Sequence, residues 1–236
     1  MNRLGTISKT ITTLALAAIL VACTTAPPTI QTGPDAEISF DGLHKVDNSK
    51  ADEAWARPDL DLSGYTKLWP TGGGIEYRQV KDRGNTAMGR SQGGPYFIDD
   101  DARARFENLV LVIFAEELKK IERYELVEGP GPDVLIVEGG LLDVISFVPP
   151  EPIGGRSNIY LSSVGEATLV LELRDSESRT ILARSIDRRA AETPGTGVST
   201  IQSSSVSNAA DVKRLIRRWA TRLREGLEGF QSQSAE

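Results

Sequence analysis

Few residues of this chain combine the type and the placement needed for chemistry, and the most telling is its single cysteine, Cys23. It follows Leu20-Val21-Ala22 at the end of an apolar run and precedes a stretch of Thr and Pro. With no second cysteine there is no disulfide, and thiolate zinc sites are excluded as well. The small side chain of Ala22 leaves the bond before Cys23 open to a peptidase, and the thiol itself is open to alkylation. The only histidine, His44, stands in a polar segment, so a Ser-His-Asp or Cys-His grouping would have to recruit it from there. Paired carboxylates can hydrolyse glycosides at a suitable separation, but no local motif proposes such a pair. The sequence therefore assigns no catalytic, cofactor-binding or metal-ligating residue and implies no cofactor.

Three further groupings have a plain reading beside a chemical one. Asp99, Asp100 and Asp101 could hold a cation; at the start of a helix they more simply cap free N–H groups and complement the positive dipole end. Gly72-Gly73-Gly74 and Gly93-Gly94 lack the Gly-Lys-Ser/Thr of a phosphate loop and the spacing of a dinucleotide fingerprint, so turn chemistry is expected. Asp187-Arg188-Arg189 is the best polar cluster, read as a salt-bridged strand end in preference to an anion site.

The N-terminus gives an address. Arg3 and Lys9 precede the apolar TITTLALAAILVA, the layout of a secretory signal. A membrane span needs about 20 apolar residues, more than this run supplies. Leu20-Val21-Ala22-Cys23 resembles the lipobox of bacterial lipoproteins. That resemblance implies cleavage between Ala22 and Cys23, diacylglyceryl attachment to the thiol and an acyl chain such as palmitate on the freed amine. Two or more chains hold a membrane durably where one does not. Thr24 stands where an Asp would mark inner-membrane retention, so the resemblance favours the outer membrane, facing the periplasm.

Removing residues 1–22 leaves 214 residues with 25 basic and 33 acidic side chains, a net charge of −8. Such a chain argues against nucleic acid as a partner. Residues 23–63, with Pro27, Pro28 and Pro34 among polar residues, read as the lipidated Cys23 and a flexible tether. Residues 64–230 read as one globular domain, and 231–236 as a disordered tail.

Within the domain, YTKLWP and IEYRQV are expected as strands flanking the triple glycine, with a polar loop over 81–95. Phe106, Leu109, Val110, Ile113, Phe114, Leu118 and Ile121 recur at helical spacing. YELVE and DVLIVEGGLLDVISFVP are strand-like and separated by the breaker GPGP, with a bulge or bend at Gly139-Gly140. PPEPIGGRS is a loop. Over Glu166–Arg174, Ala167, Leu169, Leu171 and Leu173 alternate with more polar residues, and DSES turns the chain into RTILARSIDRR, a hairpin with one wet face. TPGTGVSTIQSSSVS is a loop before a last helix, about Asn208 to Gly229. Its Val212, Leu215, Ile216, Trp219, Leu223 and Leu227 share one face, and Lys213, Arg214, Arg217, Arg218, Arg222 and Arg224 spread over the rest. The predicted class is α+β, a mostly antiparallel sheet packed against two main helices after the tether.

YELVEGPGPDVLIVEGGLLDV, VGEATLVLELRDSESRTILARSIDRRA and SGYTKLWPTGGGIEYR together resemble the bacterial lipoproteins grouped as domain of unknown function 3313. The shared features are a Pro-Gly-Pro-Asp turn, a Gly-Glu-Ala strand, a hairpin ending in Asp-Arg-Arg and an early Tyr-x-x-Leu-x-Pro element, across most of residues 63–225. The family's hairpin often turns on Thr-Gly, where this chain has Asp175-Ser176-Glu177-Ser178. The resemblance implies an α+β envelope domain and no substrate. The expectation is a non-catalytic interaction or structural module, anchored in the membrane through acyl chains on Cys23 and meeting an envelope protein. Two alternatives stand beside it: a glycan-acting enzyme with paired carboxylates, and an accessory lipoprotein binding a small ligand or lipid, which would need an apolar pocket between sheet and helices.

Overall fold

The computed structural model describes residues 26–84, 86, 88–89, 94–150, 160–192 and 201–229. Cys23 and Ala22, the signal segment and the tail over 231–236 lie outside the described residues. In chain order the strands before the first long helix are β1 (Thr29–Ile30), β2 (His44–Asp47), β3 (Glu53–Ala56) and β4 (Lys67–Tyr77). Helix α1 (Asp100–Leu118) is followed by β5 (Glu125–Leu126), β6 (Val134–Ser146), β7 (Tyr160–Leu161), β8 (Gly165–Asp175), β9 (Ile181–Ala190) and β10 (Ile201–Gln202), and helix α2 (Ser205–Gly229) closes the series.

Eight strands form one sheet in the order β1-β2-β3-β9-β8-β6-β4-β5. All pairings in it are antiparallel except β4 with β5 and with β6, so α1 serves as the crossover between parallel strands. The fold is α+β with a mostly antiparallel sheet, as the sequence pattern predicts. β7 and β10 pair separately.

The alternation over β8 sets the layers. Ala167, Leu169 and Leu173 are buried under the helices, and their partners on β6, Leu141 and Val137, join them. From α2, Leu215, Ile216, Trp219 and Leu227 descend onto this face, and α1 adds Ile113 and Leu118. The helical periodicities are therefore the core. Asp99 caps α1, its Oδ1 accepting from the Ala102 N–H at 2.7 Å, and Asp100 and Asp101 occupy the first turn.

Two expectations are corrected. The triple glycine is no turn: β4 runs through it, paired in parallel with β6. The register shifts between Gly72 and Gly74 opposite Gly139 and Gly140, and Gly74 takes φ +90°. A Cβ on Gly73 would lie 3.4 Å from the Gly139 carbonyl oxygen, so missing side chains let the backbones meet closely where the ladder bulges. The tether is the second correction. From Thr29 onward the segment adds β1, β2 and β3 to the sheet beside β9, with Leu43, Ala56 and Leu62 buried. Strands of two to four residues are too short for an alternation to show, and their pairing comes from β9, far along the chain.

The DSES turn is pinned from both sides. Asp175 Oδ1 accepts from the Ser178 N–H at 2.7 Å, and the buried Ser176 hydroxyl donates to the Gly131 carbonyl at 2.7 Å while accepting from its N–H at 3.0 Å. That ties the hairpin to the GPGP loop. Of the loops expected over 149–157 and 193–207, residues 151–157 and 193–200 lie outside the described residues, and the end of the second is not loop: β10 occupies Ile201–Gln202 and α2 starts at Ser205, three residues before the expected Asn208.

Candidate functional site

The added strands create a site. On the helix side of the sheet, β3 and β9 present short side chains: Ala54 and Ala56 pair with Ser185 and Ala183. Beneath the flank of α2 this floor leaves a cavity of about 450 Å³. Pro28, Ile30, Val46 and Leu60 line it from the N-terminal segment, and Trp219, Leu223, Gly226 and Leu227 line it from α2. Its size and apolar lining fall in the range of small-molecule sites, about 300–1,000 Å³.

Charge sits at its margin. Asp187 is buried at 5% exposure, and its Oδ2 accepts the Trp219 indole N–H at 2.7 Å. Arg189 closes a fork on the same carboxylate at 2.6 and 3.0 Å, and that hydrogen-bonded fork raises the guanidinium's pKa. Arg222 Nη1 stands 3.6 Å from Asp187 Oδ2 and is buried without a hydrogen bond. Lys50, exposed in the β2–β3 connection, Arg184 and Glu225 complete the charged lining. Across the solvent side of α2, a shallow depression lined by Lys213, Arg214, Arg217, Arg218 and Arg222 adjoins the cavity, sharing Arg222 and Glu225 with it.

Asp187-Arg188-Arg189 thus does not act as one cluster. Alternation sends Asp187 and Arg189 to the helix side and Arg188 to the far face, where it reaches Asp143 at 2.8 Å and Glu166 at 2.8 Å. Asp143 sits in the β6 bulge with φ +53°, gripped also by Arg78 through Nε at 2.6 Å. The Arg78 fork, aided by Arg188, holds this carboxyl below the usual range against the opposing pull of burial. Further along the same face Arg184 bridges Asp41 and Glu172, each at 2.6 Å. Burial works to raise the Asp41 carboxyl, but the hydrogen bonds from Ser39 and Arg184 outweigh it and its pKa is lowered. Among the described residues the far face is a charged lattice with neither long helix over it.

His44 is not in a tether: it lies in β2, Nδ1 2.7 Å from the Gln31 carbonyl oxygen. Among the described residues no group of three or more His, Cys, Asp or Glu side chains is arranged to hold a metal. Nor is any described helix long and apolar enough to cross a membrane. The cavity itself escapes sequence reasoning, because β1 to β3 are invisible there; the only signal is the run of small residues Ala51, Ala54 and Ala56 around Trp55.

No curated protein matches the sequence. Among solved structures, a Xanthomonas campestris protein of the DUF330 family is 13% identical, with 76% of this chain and 93% of that one covered and a TM-score of 0.35. The PelC dodecamer from Paraburkholderia phytofirmans is 12% identical over 72% of this chain and 94% of its own, with a TM-score of 0.32. A Helicobacter pylori homolog of a neuraminyllactose-binding hemagglutinin is 10% identical over 75% and 92%, with a TM-score of 0.34. At such values nothing about this chain's chemistry follows from them. The family match is of another order, running over residues 37–223 and so taking in α1, α2 as far as Leu223, the β8–β9 hairpin and, of the three N-terminal strands, β2 and β3. This chain belongs to DUF3313, a family of proteins of unknown function.

Proposed function

We propose that this protein is a lipid-anchored module of the bacterial cell envelope that binds and does not catalyse. The cavity carries the reading. It is concave and apolar, and the charges at its edge are largely engaged with one another, Asp187 with Trp219 and Arg189 above all. A surface of that kind holds a partner or ligand; it offers no nucleophile beside a base. The anchor is Cys23, attached after cleavage behind Ala22, and Thr24 favours the outer membrane with the domain in the periplasm. Pro28 lines the cavity, so at most five residues, ~18 Å of chain, separate it from the anchor.

The test is in-cell photo-crosslinking from a reactive side chain in place of Lys50, with a second position, Lys81, as a remote control. A discrete envelope adduct from position 50 that is missing from position 81 is expected. Equal background from both positions contradicts a binding role for the cavity. The pocket also favours the more specific reading of a lipid-binding accessory protein.

A further inference from the structure

The cavity and the basic face of α2 are adjoining parts of one surface, and they differ in the chemistry they offer. We infer that together they form a binding site for an anionic phospholipid, one alkyl chain entering the cavity and the phosphate meeting Arg222 and its neighbours. The source of that lipid rests on the membrane-anchored reading above.

Three observations converge on this occupant. The first is shape and lining: Ala54, Ala56, Ala183 and Gly226 leave room that Leu171, Leu223 and Leu227 wall with aliphatic carbon, which suits a flexible hydrocarbon chain. The second is charge. The mature chain is acidic by eight, yet α2 gathers six basic residues between Lys213 and Arg224. Among the described residues Lys213 and Arg218 face no acidic partner within ion-pair distance, and Arg217 reaches Glu116 only at 4.0 Å. Where the two surfaces join, Arg222 lines both, and its Nη1 makes no hydrogen bond, standing 3.6 Å from Asp187 Oδ2, beyond hydrogen-bond reach. The carboxylates nearby do not reverse this: Asp187 takes its hydrogen bonds from Arg189 and Trp219 and meets Arg222 only as an ion pair at 3.6 Å, and Glu225 shares the depression on α2 with five basic residues. The third is position. With Cys23 held in a bilayer, the cavity wall at Pro28 lies within ~18 Å of chain from lipid.

Gly226 supplies a selective probe. A Cβ there meets nothing within 4 Å, and the residue lies inside α2, so Gly226→Leu fills the cavity while improving the helix. The full-length lipoprotein is reconstituted into phosphatidylcholine vesicles. These carry a minor fraction of either phosphatidylglycerol or phosphatidylcholine with a diazirine on one acyl chain. After illumination, adducts are mapped by mass spectrometry, and flotation of the protein with the vesicles reads the anchor separately. The expected result is a phosphatidylglycerol adduct on cavity peptides, lowered about tenfold by Gly226→Leu. Arg222→Gln should lower it about tenfold as well, leaving the phosphatidylcholine adduct unchanged. Floating protein without cavity adducts overturns the inference while leaving the anchor standing. Equal labelling by both lipids overturns the anionic preference.

Discussion

At the scale of single residues, the contact between Trp219 and Asp187 joins the last helix to the middle of the sheet. The indole N–H is the only donor from outside β9 within hydrogen-bond distance of that buried carboxylate among the described residues. Trp219→Phe keeps most of the ring and removes the donor, and is expected to cost about 1–3 kcal/mol, read as a lower urea midpoint at unchanged m. Asp143 contributes to acid sensitivity, as do the other carboxyls held low, Asp41, Glu117, Asp133 and Asp175. Its pKa is depressed, chiefly by Arg78, so its contribution is complete above the unfolded carboxyl value of about 3.9 and is lost as pH falls through the folded value. Asp143→Asn should flatten the decline of unfolding free energy below about pH 4, followed by urea titrations at stepped pH. The Asp99 cap was readable because the cap and its N–H are three residues apart, whereas Trp219 is 32 residues from Asp187 and nothing local announces the pair.

Among the elements, β8 is the one most legible in sequence, because an alternating strand with one dry face writes its burial at every second position. Helix α2 is nearly as plain. β4 is not, since three successive glycines describe a turn as well as a strand that must touch its neighbour's backbone; only the facing Gly139 and Gly140 decide it. Another glycine is more demanding than any of these. A Cβ on Gly165 would lie 2.3 Å from the Ile145 carbonyl oxygen, in the ladder between β6 and β8. Gly165→Ala must push two central strands apart and should lower the thermal midpoint sharply, while Gly226→Ala, in open space on α2, should raise stability by about 0.5–1 kcal/mol. Calorimetry of the pair separates close backbone approach from glycine's conformational cost. Equal effects from the two substitutions would refute the packing assigned to β6 and β8.

For the whole molecule, the sheet is wider than its sequence suggests, and the site exists because of the extra width. β1, β2 and β3 extend the sheet past α2 and turn a helix flank into a cavity wall. Arg57 fixes that extension, its N–H donating to the Leu182 carbonyl at 2.9 Å and its Nε to the Ile181 carbonyl at 2.9 Å. Native trypsin digestion should therefore spare the bond after Lys45, inside β2 and paired with Trp55 of β3, which a free tether would expose. The anchor proposed at Cys23 rests on four adjacent residues, whereas the cavity is assembled from segments more than a hundred residues apart and leaves only the small residues around Trp55 as a trace in the sequence. The central claim, a binding domain held at an envelope membrane, is tested most directly by metabolic labelling of cells with an alkynyl fatty acid. Wild-type protein should carry the label in the membrane fraction and Cys23→Ala should carry none; unlabelled wild-type protein, or label that survives the substitution, contradicts the account.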